Sequence, residues 1–194
     1  MEHIFHKGTG TRTFIFLHGT GGNEHDLLGL GDIMDPTANR LGIRGEVLEN
    51  GMPRFFRRLA EGVFDEADLR ARTASLYTFI LEAAKRYDFD MEQAVVVGYS
   101  NGANIAASML FHYSDAFAAA ILHHPMVPLH NHVLPQQATR VFIAAGDNDP
   151  LCPKEEAIEL ASLLTTVGAQ VTTHWEHNGH QLTRSEVEAA RDWL

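Results

Sequence analysis

The chain passes, at Ala94-Val95-Val96-Val97-Gly98-Tyr99-Ser100-Asn101-Gly102, from a short β-branched run directly into a G-x-S-x-G pentapeptide. Small residues and then apolar ones at helical spacing follow from 102 to 111. A strand, a tight turn and a helix are therefore predicted in that order, and the glycines allow a close crossing of strand and helix. An ordinary turn is the alternative. A turn of the predicted kind exposes a serine hydroxyl to a base, so Ser100 is the candidate nucleophile.

Segments typical of strands and helices alternate along the chain. The strongest strand signals cover residues 13–17, 94–97, 140–145 and 170–175, and weaker ones lie at 3–6, 43–48 and 118–122. Helical spacing of apolar residues covers 66–86, 153–167 and 183–194. Because such alternation places helices over both faces of a parallel sheet, we predict an α/β fold. We expect a three-layer sandwich with a mostly parallel sheet of six or seven strands, formed by a single domain over residues 1–194.

Composition narrows the classes of function. The 194 residues are 45% hydrophobic and carry a net charge of −10, which repels phosphate backbones and anionic membrane surfaces. We therefore expect no nucleic acid and no membrane as a partner, and a homodimer is left open. The single cysteine, Cys152, excludes an intramolecular disulfide framework. Since the first apolar run, 13–17, is too short to span a membrane, we expect a cytoplasmic location.

Acidic and imidazole side chains follow two later strands of the predicted sheet. Residues 146–150 carry two aspartates after the strand at 140–145, and residues 176–180 carry two histidines after the strand at 170–175. Catalytic residues of such sheets lie beyond the carboxyl ends of the strands, so we expect both turns near Ser100. A neutral imidazole can take the serine proton near pH 7 while a carboxylate fixes its tautomer.

Each of these turns offers two candidates. Asp149 is favoured as the acid because the following proline keeps it extended and out of the next helix. Asp147, after a glycine, is more typical of a residue that bonds its own turn. His180 is favoured as the base because the preceding glycine lets its loop fold back over the serine. His177 is the alternative base.

Two backbone N–H groups are candidates for an oxyanion hole, which a tetrahedral intermediate needs. Asn101 follows the serine and opens a helix whose N-terminal end favours negative charge. Thr20 lies in the glycine-rich turn 18–22 after the strand at 13–17. Because the chain has neither G-x-G-x-x-G nor G-K-[ST], this turn does not indicate a nucleotide phosphate site. No cofactor is expected.

Histidine is abundant, with twelve residues, but no cluster has the pattern of a metal site. Zinc sites need three or four converging ligands, and the chain has no H-E-x-x-H helix and no cysteine partners. We therefore predict no metal. The pair His123-His124 follows the strand signal at 118–122, at the rim where the site is expected, and it either lines the pocket or packs.

An aromatic segment at 52–64 is a candidate for the wall of a substrate pocket. Phe55, Phe56 and Phe64 fall on one apolar helical face, with arginines opposite. Core packing is one interpretation of this pattern. The other is a cap over residues 50–66 whose aromatic face forms an acyl or aryl pocket. On that interpretation the three phenylalanines, together with His123, contact the substrate.

Four motifs together resemble a known family. Segments 18–22, 98–102, 146–151 and 179–180 are similar, in order and over nearly the whole chain, to the phospholipase/carboxylesterase group of α/β-hydrolases, relatives of acyl-protein thioesterases and bacterial carboxylesterases. The resemblance implies that Asp149 is the acid and that Thr20 and Asn101 supply the oxyanion hole. These two residues stand where the group commonly has leucine and glutamine, which bears on substrate preference. The chain also resembles dienelactone hydrolases, which share the fold but carry cysteine at the elbow.

The resemblance implies a cofactor-independent serine carboxylesterase. Small carboxylic esters are the expected substrates, hydrolysed through an acyl-enzyme on Ser100 with His180 as base and Asp149 orienting it. A thioesterase or lysophospholipase would suit the same triad. The competing hypothesis is a hydrolase fold that binds a small ligand without turning it over, and the presence of all three residues argues against it. Cys152, beside the acid turn, is expected to be a bystander.

Overall fold

A seven-stranded sheet forms the centre of the molecule, for which a computed structural model describes residues 1–194. In chain order the elements are β1 (His3–His6), β2 (Thr13–Leu17), α1 (Leu30–Met34), β3 (Asn39–Ile43), β4 (Val47–Glu49), β5 (Met52–Arg54), β6 (Arg58–Ala60), β7 (Val63–Phe64), α2 (Glu66–Tyr87), β8 (Ala94–Tyr99), α3 (Asn101–His112), β9 (Ala119–His123), β10 (Arg140–Gly146), α4 (Lys154–Thr166), β11 (Gln170–Glu176) and α5 (Arg184–Trp193). The sheet order is β1-β3-β2-β8-β9-β10-β11, with β1 antiparallel to β3 and all other pairs parallel. The predicted mostly parallel α/β sheet is confirmed.

Both faces of the central strand β2 are buried, which explains the helices on either side. Phe14 and Phe16 pack into one layer of the core, which α1 and α5 cover. Ile15 and Leu17 alternate with them and pack into the opposite layer, which α2, α3 and α4 cover. A parallel strand that is apolar on both faces requires such cover, so the three-layer prediction is confirmed.

The three longest predicted helices end within one residue of their expected positions. α2 begins after Asp65, whose carboxylate accepts a hydrogen bond from the N–H of Asp68 at 3.0 Å. α5 begins with a capping box between Thr183 and Glu186. No helix of the chain has the length and apolar character that crossing a membrane requires.

Two short elements differ from the prediction. The strand signal at 43–48 is split into the end of β3 and the start of β4, because Gly45 between them donates its N–H to Nε2 of His18 at 3.0 Å instead of to a strand. Helix α1 was not predicted, since five residues are too few to show a helical period.

The helical face predicted over 52–64 is wrong, because residues 47–64 form two antiparallel hairpins. Asn50-Gly51 makes the first turn with φ values of 52° and 81°, the left-handed pair that a tight hairpin needs. Phe55 and Phe56 are buried in the core, whereas Leu59 and Val63 are 73% and 51% exposed. Alternation at a hairpin, not helical spacing, therefore decides which of these side chains are inside.

Strand β8 and helix α3 cross very closely at the serine turn, and Gly98 allows this because it has no side chain. A Cβ atom at Gly98 would lie 2.6 Å from both the N and the Cα of Ala103, which are backbone atoms that cannot move aside. Gly98 itself pairs with Leu17 of β2 and Leu122 of β9 in the middle of the sheet. Neither partner of the crossing can therefore shift without disturbing the core.

Substitution of Gly98 by alanine is predicted to lower the free energy of unfolding by roughly 1–3 kcal/mol through overpacking. The matched control is Gly29→Ala, because a Cβ at Gly29 meets no atom within 4 Å and Gly29 has an ordinary helical φ of −64°. The control should change stability by less than about 1 kcal/mol. Urea unfolding of both variants measures the difference, and equal stabilities would contradict the account of the crossing.

Candidate active site

Ser100 lies on the turn between β8 and α3, with its backbone held in an unusual conformation. Its φ is 52° and its ψ is −113°, a region that non-glycine residues rarely adopt. Its N–H donates to the carbonyl of His123 on the neighbouring strand at 2.9 Å, and its carbonyl accepts from the N–H of Asn104 at 2.9 Å. These bonds fix the strained turn, which projects the hydroxyl above the carboxyl end of the sheet.

His180 and Asp149 meet Ser100 in the order expected of a catalytic triad. Nε2 of His180 is 2.9 Å from Oγ of Ser100, and Nδ1 of His180 is 2.7 Å from Oδ2 of Asp149. Oδ1 of Asp149 accepts from the N–H groups of Leu151 and Cys152 at 2.8 and 3.0 Å. Burial opposes ionisation of Asp149, but these hydrogen bonds and that of His180 outweigh it and lower its pKa.

The alternative acid and base lie apart from the serine and contact each other. Nδ1 of His177 is 2.7 Å from Oδ1 of Asp147, and the two side chains are 80% and 45% exposed. They therefore form a surface pair at the edge of the same two turns. Of the predicted candidates, the structure brings His180 and Asp149 to Ser100, and it leaves His177 and Asp147 in solvent.

Thr20 and Asn101 both line the cavity beside Ser100. Neither donates its backbone N–H to another group of the protein, so both donors are free. The turn that carries Thr20 is held by His18, whose Nδ1 contacts the carbonyl of Gly19 at 2.6 Å while Nε2 accepts from Gly45. Burial lowers the pKa of His18, which keeps one nitrogen a donor and the other an acceptor. Both predicted oxyanion positions are thus next to the nucleophile.

The cavity above the serine measures about 350 Å³. Its lining residues come from six parts of the chain and are Thr20, Arg54, Arg58, Glu61, Gly62, Phe64, Tyr99, Ser100, Asn101, Asn104, Met126, Leu151, Cys152 and His180. Of the four residues predicted to contact substrate, only Phe64 lines it. Phe55 and Phe56 are absent because their rings pack into the core, against His18 and Phe64 respectively. His123 is absent because it is fully buried and faces Glu186.

Tyr99 and Arg54 shape the site although neither is predicted as a site residue from the sequence. The hydroxyl of Tyr99 donates to the carbonyl of His180 at 2.7 Å and so holds the histidine loop. Burial raises the pKa of Tyr99, which keeps this hydroxyl a donor. Arg54, 3% exposed, donates to Oγ1 of Thr20 at 2.7 Å. Tyr99 could have been found from its place inside the pentapeptide, whereas no sequence signal marks Arg54.

Cys152 is buried beside the triad; its backbone N–H donates to Asp149, and the residue lines the cavity. Burial raises the pKa of Cys152 to about 12, with Asp149 and Glu156 adding to the effect. A thiol with so high a pKa is not the thiolate that nucleophilic cysteine chemistry uses.

His124, Asp149 and His180 form the one cluster compact enough to suggest a metal, with ligand atoms within 4.8 Å of one another. The Nδ1 atoms of both histidines point at the same oxygen, Oδ2 of Asp149, at 3.1 and 2.7 Å. Hydrogen bonds of this kind need a proton on each nitrogen, so these nitrogens are donors to the carboxylate and not free metal ligands.

Known proteins resemble this chain over nearly its full length. Residues 56–191, which include Ser100, Asp149 and His180, match the Dienelactone hydrolase family. MhqD of Bacillus subtilis (strain 168), which is provisionally named a hydrolase, is 58% identical to this chain. The match covers all of this chain and 97% of MhqD. The crystal structure of the Bacillus cereus carboxylesterase is 58% identical, with a TM-score of 0.97 over 100% of this chain and 92% of that one. YahD, solved with malic acid, is 30% identical, with a TM-score of 0.93 over 99% and 97%.

These matches confirm the α/β-hydrolase relationship that the motifs predicted. The matching family is the second of the two groups that the sequence resembles. Dienelactone hydrolases carry a cysteine at the elbow, where this chain has Ser100. The fold, the chain order of Ser100, Asp149 and His180, and the family match all support this relationship. The chain belongs to the Dienelactone hydrolase family of α/β-hydrolases.

Proposed function

We propose that this protein is a serine carboxylesterase that hydrolyses small carboxylic esters through an acyl-enzyme intermediate. The observation that carries the proposal is the unbroken contact from Oγ of Ser100 through His180 to Asp149, at 2.9 and 2.7 Å. The 58% identity to the Bacillus cereus carboxylesterase supports the same class of reaction. A hydrolase of this kind needs no cofactor, because every proton transfer has a side chain within reach.

In the first half of the proposed reaction, Oγ of Ser100 attacks the ester carbonyl while Nε2 of His180 takes its proton. Asp149 keeps the other nitrogen protonated and stabilises the imidazolium that forms. The free N–H groups of Thr20 and Asn101 lie beside the serine and supply donors for the oxyanion. Collapse of the tetrahedral intermediate passes the proton from His180 to the departing alcohol and leaves the acyl group on Ser100.

In the second half, His180 takes a proton from water, and the resulting hydroxide attacks the acyl-enzyme. The same two N–H groups stabilise the second oxyanion. Departure of Ser100 with the proton held by His180 releases the carboxylic acid and restores the starting state. Each residue thus acts twice, and atoms and protons balance over the cycle.

We also propose that residues 50–66 form a fixed wall of the substrate pocket. Arg58, Glu61 and Phe64 from this segment line the cavity. The segment is tied to both oxyanion positions, because Arg54 donates to Thr20 and the N–H of Phe55 donates to Oδ1 of Asn101 at 2.7 Å. These two hydrogen bonds hold the segment in a fixed position relative to the oxyanion donors, which supports a wall that does not move.

A free small molecule in the cytoplasm is the substrate that we propose. The single buried cysteine suits a reducing compartment, and the net charge of −10 disfavours anionic surfaces as substrates. A cavity of about 350 Å³ is at the small end of ligand sites. These observations favour short esters over long acyl chains held in a membrane.

Ser100→Ala is predicted to lower kcat for p-nitrophenyl acetate by about 10⁴-fold or more, because it removes the nucleophile while leaving the fold intact. The matched control is Ser75→Ala, since Ser75 is exposed on α2 and bonds only the carbonyl of Ala71. The control should keep the rate of the unaltered protein. Steady-state hydrolysis followed at the nitrophenolate absorbance measures both, and turnover that survives in Ser100→Ala would refute the proposal.

Acyl chain length is predicted to limit the rate. Because the cavity is small and residues 50–66 form one side of it, a long acyl chain collides with this wall when its carbonyl carbon is at Ser100. We expect kcat/KM to fall by at least about tenfold from p-nitrophenyl butyrate to p-nitrophenyl dodecanoate. The measurement is an ester series at fixed pH below the micellar range, and a flat or rising profile would contradict the fixed wall.

A further inference from the structure

Two buried side chains behind the triad, His124 and Glu186, are not used by the mechanism above. Nδ1 of His124 lies 3.1 Å from Oδ2 of Asp149, and its Nε2 lies 3.3 Å from Oε2 of Glu186. The side chains of His124 and Glu186 have no exposed surface, and that of Asp149 is 1% exposed. An imidazole therefore bridges the catalytic carboxylate and a second carboxylate with no solvent between them.

The two carboxylate contacts favour a proton on each nitrogen of His124. Nδ1 donates to Asp149 and so carries a proton, since an ionised carboxylate only accepts hydrogen bonds. Nε2 lies 3.3 Å from Oε2 of Glu186 outside hydrogen-bond geometry, and a proton there makes this buried contact an ion pair instead of two facing lone pairs. A buried Glu186 carboxylate also needs a positive partner, because an unpaired charge in the interior is very unfavourable. Burial alone would lower the pKa of His124, but Glu186 and Asp149 outweigh it and raise the pKa. Burial opposes ionisation of Glu186 as well, yet His123 and His124 lower its pKa to about 2.

The same carboxylate fastens the loop that carries His180. Oε1 of Glu186 accepts from the N–H of Thr183 at 2.6 Å in the capping box of α5. Thr183 is three residues after His180, so the start of α5, the histidine loop and His124 are joined through one side chain. His124 is itself fixed, with a φ of 53° and its N–H donating to the carbonyl of Ala144 at 2.7 Å.

We propose that His124 and Glu186 are positioning residues that extend the triad, with a protonated His124 holding the Asp149 carboxylate against His180. The inference rests on the proposed function of Ser100, His180 and Asp149. It predicts more than rigidity, because the positive charge of His124 offsets part of the negative charge of Asp149 at the catalytic imidazole. The ring of His124 lies 5.2 Å from that of His180, so this charge also acts on the base of the proposed reaction.

The groups that face these two imidazoles are few. Asp149 faces both from the turn after β10, and the Tyr99 ring of β8 lies 5.6 Å from His180 and 6.0 Å from His124. The two imidazole rings are 5.2 Å apart. Glu186 of α5 faces His124, and Nδ1 of His123 on β9 lies 3.5 Å from the same carboxylate without forming a hydrogen bond. Arg54 and Arg58 line the same cavity as His180, but both pair with Glu49, so His124 is the group to change.

His124→Asn is the sharpest variant, because asparagine tolerates the left-handed backbone at this position. Its amide can also replace Nδ1 as a neutral donor to Asp149, which removes the charge and keeps the hydrogen bond. The acid limb of kcat/KM for p-nitrophenyl acetate should move to higher pH by about one unit, as expected for a charge lost about 5 Å away at an effective dielectric constant of about 20 and partly offset by Glu186. An acid limb that does not move overturns the proposal.

A second variant guards against simple misfolding. His124→Asn with Glu186→Gln removes the buried unpaired carboxylate, and glutamine keeps the capping box of α5. Because Glu186 contacts the nitrogen of His124 that is turned away from Asp149, this double variant should also show the raised acid limb. A loss of kcat or thermal stability in both variants with no shift of the limb would mean that the pair is only structural, and would overturn the inference.

The protonation of His124 is measurable without any turnover. Nitrogen-15 NMR of histidine-labelled protein, with the His124 signals assigned by their loss in His124→Asn, should show both ring nitrogens protonated from about pH 5 to pH 8. A neutral ring in that range overturns the inference. If the unaltered protein fails to hydrolyse any ester, the proposed function falls, and this spectrum then decides on the charge of His124 alone.

Discussion

The backbone of Ser100 is held at a φ of 52°, and the rest of the site depends on this constraint. A conformation of this kind costs roughly 1–3 kcal/mol and persists only when its surroundings determine it. Here the surroundings are the hydrogen bond to His123 on β9, and helix α3, in which every residue from Asn101 to Phe111 is buried. The core therefore stabilises a turn that the local sequence would not adopt alone, and the turn presents the hydroxyl to His180.

The Asp149 carboxylate is the second point on which the site depends. Four donors converge on it, from His180, His124 and the backbone of Leu151 and Cys152. A buried charge is stable only when it is paired and hydrogen-bonded, and these contacts satisfy both oxygens. Since the donors come from three separate segments, one after each of β9, β10 and β11, one carboxylate holds together the carboxyl ends of three strands.

Much of this arrangement could be predicted from the sequence because the signals are local. The strands around Val96 and Ile143 are apolar on both faces, the glycines at the elbow mark a close crossing, and the acid and imidazole turns follow strands in chain order. Pro150 and Gly179 favour Asp149 and His180 over their neighbours, and these are the two residues that contact each other and Ser100 in the structure. In each case the residue that decides the structure lies within a few positions of the residue that it affects.

The rest could not be predicted because it depends on contacts between distant residues. The spacing of Phe55 and Phe56 is typical of a helical face, yet the Asn50-Gly51 turn makes a hairpin and both rings lie in the core. That turn is a signal that the sequence did contain. Nothing in the sequence marks the pairing of Glu186 with His123 and His124, since the capping role of Glu186 explains its position completely without them. Histidines beside a strand end are equally compatible with a pocket wall and with burial.

The central claim is that Ser100, and not Cys152, carries the acyl group. Mass spectrometry of the protein treated with a fluorophosphonate probe, followed by peptide mapping, tests it directly. The account predicts one adduct per chain, located on the peptide that contains Ser100, with Cys152 unmodified and no adduct in Ser100→Ala. An adduct on another residue, or no adduct on a folded protein, would contradict it.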